Sequence, residues 1–189
     1  MIVIDNFLGS FDEYRAHCDT ADFNGEINPV DNVFYPGVST IIPENVVIDV
    51  YDKLSVMLNC VVNIKFIFMR LSLIDTVAPH QAHTDISMGQ YGMMVYLNRY
   101  EDCDGGTSFV RHIKTGMEIN PKDKDEEAVW LSDTNNPNAW EIVDMCDMKP
   151  NRALIFDANK MHRSEPIGGF GSNSRDGRLV LTVFFDKND

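Results

Sequence analysis

From about residue 59 the chain divides into short runs rich in β-branched and aromatic residues. They lie at roughly 59–73, 80–86, 91–97, 107–112, 139–144, 152–157, 161–166 and 178–186, with Gly, Pro or Asn between most of them. Eight such strands predict a jelly-roll barrel. Gly116–Asn138 interrupts the series with Pro121, a short helix near Glu126 to Leu131, and an Asn/Pro-rich loop. Insertions of this kind commonly shape specificity, because loops vary while the scaffold holds the reacting groups. Trp130 and Trp140 flank the insert, and packing is the simpler role for each.

Before the barrel, Ile2-Val3-Ile4 reads as a short strand. Ser10-Phe11-Asp12-Glu13 reads as a capping box opening a helix through about Thr20. A second helix is expected from about Pro43 to Leu58, with Val47, Val50, Leu54 and Leu58 at helical spacing. The two helices would brace one sheet. Asn24 to Ser39, with Pro29, Pro36 and Gly37, reads as a loop that overhangs the site. The expected architecture is therefore mainly β with flanking helices: helical support over about 1–58 and a barrel over about 59–186. At 189 residues and 44% hydrophobic composition, with no linker, residues 1–189 are expected to form one domain.

Three residues on the predicted strands suggest chemistry. Alternate residues of a strand share a face, so His83 and Asp85 of His83-Thr84-Asp85 can reach one ion while Thr84 points away. A third ligand must come from another strand, and His162 follows the apolar run Ala153-Leu154-Ile155-Phe156. Two imidazoles and one carboxylate form the facial triad of non-haem Fe(II) oxygenases, which leaves adjacent positions open. Farther on, Arg178-Leu179-Val180-Leu181-Thr182-Val183-Phe184-Phe185 alternates so that Arg178, Val180, Thr182 and Phe184 share a face. An inward Arg178 needs an anionic partner, which a bound dicarboxylate would supply; an outward one would pair with an acidic side chain.

His83-Thr84-Asp85, His162 and Arg178 with Thr182 resemble the 2-oxoglutarate/Fe(II)-dependent dioxygenase superfamily, particularly its prolyl-4-hydroxylase-like branch. Met94-Val95-Tyr96-Leu97-Asn98, Gly105-Gly106-Thr107-Ser108-Phe109 and Asn151-Arg152-Ala153-Leu154-Ile155-Phe156 resemble further strands of that family, in family order over about 60 to 186. The resemblance implies a double-stranded β-helix, the cupin-like form of jelly-roll. It also implies Fe(II) on His83, Asp85 and His162, and 2-oxoglutarate on Arg178 with hydrogen bonds from Tyr96 and Thr182. O₂ would be the second cosubstrate, succinate and CO₂ the products. The oxidised substrate, probed by no motif here, is a peptidyl side chain, an amino acid or another small metabolite. Two departures stand out. The His162–Arg178 gap carries the Gly-rich segment Gly168–Gly177, read as a flexible loop covering the site, and the strand Phe66–Leu73 lacks the tyrosine that prolyl hydroxylases often carry there.

Rival readings are a noncatalytic metal-binding jelly-roll and a zinc hydrolase on the same triad, although no His-Glu-x-x-His base is present. Asp85 argues against the halogenating branch, where an open position replaces the carboxylate. The formal charge of −13, from 29 acidic and 16 basic residues, disfavours nucleic acid. Cys18, Cys60, Cys103 and Cys146 are scattered and expected as reduced thiols. With no apolar run long enough to span a bilayer and no signal-like start, no membrane association and a cytoplasmic location are expected. His17 and His80 are expected to be peripheral, His112 at most on a rim. Arg70, Arg152 and Arg163 are the alternative anion ligands, Arg70 first because it shares a strand face with Phe66 and Phe68.

Overall fold

The computed structural model describes residues 1–74 and 76–188. Its strands are β1 (Ile2–Ile4), β2 (Glu26–Ile27), β3 (Phe34–Tyr35), β4 (Val38–Ser39), β5 (Val61–Ser72), β6 (Tyr91–Tyr96), β7 (Gly106–His112), β8 (Trp140–Asp147), β9 (Ala153–Asp157), β10 (His162–Glu165) and β11 (Arg178–Asn188). Three helices accompany them: α1 (Phe11–Cys18), α2 (Glu44–Leu58) and α3 (Lys124–Asp133). Antiparallel pairing gives one sheet in the order β1-β9-β6-β11-β5-β4 and a second in the order β10-β7-β8. The fold is mainly β with flanking helices, the jelly-roll class expected from the strand series.

Side-chain parity explains why the large sheet reads as nearly continuous apolar sequence. On its outer face, Leu179, Leu181, Val183 and Phe185 of β11 join Met69 and Leu71 of β5, Met93 and Val95 of β6, and Ala153 and Ile155 of β9. Tyr14 and Cys18 of α1 and Val46, Val50 and Leu54 of α2 cover that face. The inner face presents the residues of opposite parity. Tyr96, Leu154, Phe156 and Val180 meet Phe109 of β7 and Cys146 of β8 in a second core between the sheets. β11 is buried on both sides from Arg178 to Phe185. Each fully buried aliphatic side chain there contributes roughly 1.5–3 kcal/mol, so this strand anchors both layers.

Several local expectations are corrected. Ser10 precedes α1 but makes no side-chain cap bond, so the capping box does not form. In α2, Val50 and Leu54 are buried as expected, while Val46 takes the buried place expected of Val47. The 24–39 segment is not all loop: β2 and β3 pair as a hairpin and β4 joins β5. Residues 80–86 form no strand, and only an isolated bridge joins His83 to His162.

The glycine-rich Gly168–Gly177 segment is a packed loop. Arg15 of α1 donates to the carbonyls of Ser174 and Arg175 at 2.8 and 3.1 Å, and the Asp176 carboxylate accepts from the Ser172 and Asn173 amides. Phe170 packs against the inner core. Among the described residues no disulfide is formed and no helix is long and apolar enough to cross a membrane.

Candidate active site

The space between the sheets opens into a cavity of about 800 Å³. Its floor is the inner face of the large sheet: Phe66, Phe68, Arg70 and Ser72 from β5, Met94 from β6, and Arg178, Val180, Thr182 and Phe184 from β11. The shared face read from the Arg178–Phe184 alternation is this floor. The β2–β3 hairpin forms one wall through Asn28, Asp31 and Tyr35, while Trp130 of α3 and Asn120 bring the 116–138 insert to the rim. From the 168–177 segment only Gly168 reaches the cavity.

His83, Asp85 and His162 meet at one end. His83 and His162 are backbone partners: each amide donates to the other's carbonyl, at 3.0 and 2.9 Å. The Asp85 amide donates to the Ala158 carbonyl at 2.8 Å, which turns its carboxylate to the same side. Each imidazole is fixed by the carbonyl two residues earlier: His83 Nδ1 to Gln81 at 3.0 Å and His162 Nδ1 to Lys160 at 2.9 Å. A carbonyl only accepts, so both Nδ1 atoms carry the proton and both Nε2 atoms offer a lone pair. Asp85 Oδ2 lies 3.1 Å from His162 Nε2, and Oδ1 lies 3.7 Å from His83 Nε2. One donor atom from each residue falls within 4.8 Å of the others. Ligands at right angles on bonds of about 2.1 Å would stand about 3 Å apart, so this donor set fits a small divalent ion bound on one face. Phe109 and Phe156 pack on the His162 ring and shield that side.

The electrostatics agree with the donor geometry. Burial, with the adjacent His162 imidazole, holds His83 down at about 4 despite the pull of Asp85. Burial alone would raise the Asp85 carboxyl, but in the metal-free site a proton on His162 Nε2 attracts and hydrogen-bonds it, and with His83 and Arg70 this keeps it below the ordinary carboxylate range; a metal takes the place of that proton. A neutral imidazole beside a carboxylate is the state a metal requires. It also has a cost. In the unfolded chain His83 protonates near its ordinary 6.5, so the metal-free fold is expected to lose stability as pH falls from 6.5 toward 4. The loss is at most about 1.4 kcal/mol per pH unit from this residue. Urea unfolding at about pH 7 and about pH 5 should show a smaller drop for His83→Gln than for the wild type. An equal drop would place the effect elsewhere.

Arg178 opens β11 opposite Ser72 and is buried. Its Nη2 donates to the Gly106 carbonyl at 3.2 Å and to Thr107 Oγ1 at 3.4 Å; its Nε has no partner among the described residues. No carboxylate among those residues pairs with it. Burial, reinforced by Arg70 and opposed by Tyr96, pushes the guanidinium below its usual range. Asn98 steadies this strand end by donating to the Gly177 carbonyl and accepting from the Leu179 amide, at 2.8 and 2.9 Å.

Thr182 lies on the floor between Phe68 and Met94. Tyr96 does not line the cavity: its hydroxyl bonds Thr107 Oγ1 at 2.9 Å and the Cys146 carbonyl at 3.2 Å. Its route to a ligand passes through Thr107, which does line the cavity. In the sequence Thr107 stands out only as part of the glycine-rich motif. The preceding glycines explain that motif. At Gly105, φ is +60° and an added Cβ would lie 2.1 Å from the Glu165 carbonyl oxygen. Gly105→Ala is expected to cost at least roughly 2 kcal/mol, read by urea unfolding. A change below half of that would show that β7 and β10 can move apart freely.

The remaining candidates separate cleanly. Arg152 pairs with Asp5 and Arg163 with Glu165, whereas Arg70 forms no ion pair among the described residues. His112 is buried against Trp140 and bonded to Thr115 and Asp133, away from the cavity. His80 packs at a tilt against Trp130 and reaches the wall. His17 lies on α1, remote from the site.

Solved structures with this fold include a truncated viral collagen prolyl hydroxylase from Paramecium Bursaria Chlorella virus-1, with TM-score 0.56 and 14% identity over 100% of this chain and 90% of that one. The non-haem α-ketoglutarate-dependent epimerase SnoN of nogalamycin biosynthesis aligns with TM-score 0.57 and 12% identity over 97% and 77%. HygX of Streptomyces hygroscopicus, solved with nickel and 2-oxoglutarate, aligns with TM-score 0.51 and 15% identity over 97% and 81%. The fold is thus one that 2-oxoglutarate oxygenases use, as the sequence resemblance implied. No curated protein matches the chain. The chain belongs to a family described as "Family of unknown function (DUF6445)", whose model matches residues 1–185.

Proposed function

We propose that this protein is an Fe(II)- and 2-oxoglutarate-dependent oxygenase, acting as a hydroxylase on a peptidyl side chain, an amino acid or another small metabolite. The observation that carries the reading is the pairing, in one cavity, of a convergent His83–Asp85–His162 donor set with the buried Arg178, which has no carboxylate partner among the described residues. Neither half has a simple structural purpose. An uncompensated buried cation is costly, and a dicarboxylate's far end would satisfy it.

His83, Asp85 and His162 would hold the metal. Bound iron(II) would supply the site for O₂ activation and for oxidative decarboxylation of 2-oxoglutarate to succinate and CO₂, coupled to oxidation of the substrate. The chain's own residues orient and shield. The Gln81 and Lys160 carbonyls keep the two Nε2 atoms aimed at a common point. Arg178 would grip the distal carboxylate with Thr182 beside it, while Tyr96 would hold Thr107 in position from behind. Phe109, Phe156 and Val180 keep water from the inner side.

Succinate release from 2-oxoglutarate with Fe(II) in air, measured against the same mixture under nitrogen and against free Fe(II), tests the reading. Succinate no higher than with free Fe(II), with and without a substrate panel, would leave a noncatalytic metal-binding barrel as the better account.

A further inference from the structure

We infer that Arg70, with Tyr35 of the hairpin beside it, is a second anion subsite in the cavity and that the substrate carries a carboxylate there on an apolar body. This rests on the oxygenase reading just given. Arg70 stands opposite Val180, one inward position along from the Ser72–Arg178 pair, so the two arginines are diagonal neighbours on the same sheet face. Their heads part: Arg178 turns to Gly106 and Thr107 of β7, whereas the Arg70 guanidinium lies 5.5 Å from the Tyr35 ring centroid. Tyr35 is held by a hydrogen bond to Asp31 at 2.8 Å, within the hairpin that walls the cavity.

Charge counting distinguishes the two cations. In the proposed complex, iron(II), Asp85, the 2-oxoglutarate dianion and Arg178 sum to zero. Arg70 is then left over: Asp31, the hairpin carboxylate that also lines the cavity, is engaged by the Tyr35 hydroxyl and forms no ion pair with Arg70. The Arg70 Nε is buried without a hydrogen-bond partner, and the arginine has no ion pair among the described residues. A half-buried guanidinium whose Nε is buried and unpartnered, beside a like charge, calls for a further anion, and a planar carboxylate matches its fork. Phe66, Phe68 and Phe184 supply an aromatic floor for the remainder of such a molecule.

The test uses Mn(II)-loaded protein saturated with 2-oxoglutarate under nitrogen, titrated with 3-phenylpropionate and with 3-phenylpropanamide. Binding is read from Mn(II)-induced relaxation of the probe protons. The acid is expected to bind about tenfold or more tightly than the amide, and Arg70→Met should lose that preference while its affinity for 2-oxoglutarate changes little. Arg70→Gln repeats the measurement should the methionine variant misfold. Equal binding of acid and amide to the wild type, a preference that survives in Arg70→Met, or a loss of 2-oxoglutarate affinity there as large as in Arg178→Met would overturn the assignment. Failure of the wild type to bind 2-oxoglutarate sinks the oxygenase reading instead, and the acid–amide comparison on Mn(II)-loaded protein alone then still decides the Arg70 subsite.

Discussion

Asp85→Ala is expected to abolish stable metal binding and, with it, all iron-dependent succinate formation. The carboxylate contributes the one anionic donor of the set and stands between the two Nε2 atoms, at 3.1 and 3.7 Å. Loss of a hydrogen bond that merely supports a metal ligand costs up to about 100-fold in affinity, so loss of the ligand itself should cost at least about that much. The fold should survive, because Asp85 lies on an irregular segment at the cavity edge and its carboxylate meets the two imidazoles rather than the core between the sheets. Mn(II) titration followed by electron paramagnetic resonance, beside a thermal melt of the same sample, checks both halves. Near wild-type Mn(II) affinity in a folded Asp85→Ala protein would remove the triad from the account.

Arg178→Met should weaken 2-oxoglutarate binding to the Mn(II)-loaded protein by roughly 2–4 kcal/mol, or about 30-fold to 1000-fold. Part of that is lost charge-assisted hydrogen bonding, and part is the penalty of a carboxylate facing a cavity without its partner. Arg178→Lys should recover only a fraction, since an ammonium cannot keep the Gly106 and Thr107 contacts while forming a two-pronged grip on a ligand. Metal affinity should be unchanged in both variants. Calorimetry under nitrogen reads the result. Unaltered 2-oxoglutarate affinity would transfer the anchoring role to Arg70.

The barrel was legible because its strands are long, alternate or are continuously apolar, and end at glycine, proline or asparagine. β11 is the clearest case: burial on both faces from Arg178 to Phe185 leaves a run without polar interruptions except at Arg178 and Thr182, the positions proposed to meet the cosubstrate. The hairpin of β2 and β3 was not legible. Strands of two residues carry no period, and the turn residues around them look like any loop. The His83–Asp85 segment shows another limit. Alternation predicted a strand, but a single bridge to His162 and one amide bond from Asp85 produce the convergence without one. Thr107 does not stand out in the sequence because its place beside Arg178 depends on contacts among β6, β7 and β11, which no spacing encodes. Arg70 could be ranked above Arg152 and Arg163 by strand face, and their ion pairs with Asp5 and Glu165 supply the reason.

The bracing of the two imidazoles has an evolutionary consequence. Both histidines lean on main-chain oxygens, at positions occupied by Gln81 and Lys160, and their own peptide groups are joined to each other. Nothing in that support depends on which side chains occupy 81 or 160, since every amino acid brings the same carbonyl. The surroundings of the centre are therefore free to drift, and the walls can be remade for a new molecule without retuning the ligands. Inheritance of the chemistry then needs only a handful of fixed letters scattered over a long stretch. One architecture is shared at the 12–15% identity that separates this chain from the three solved structures described above.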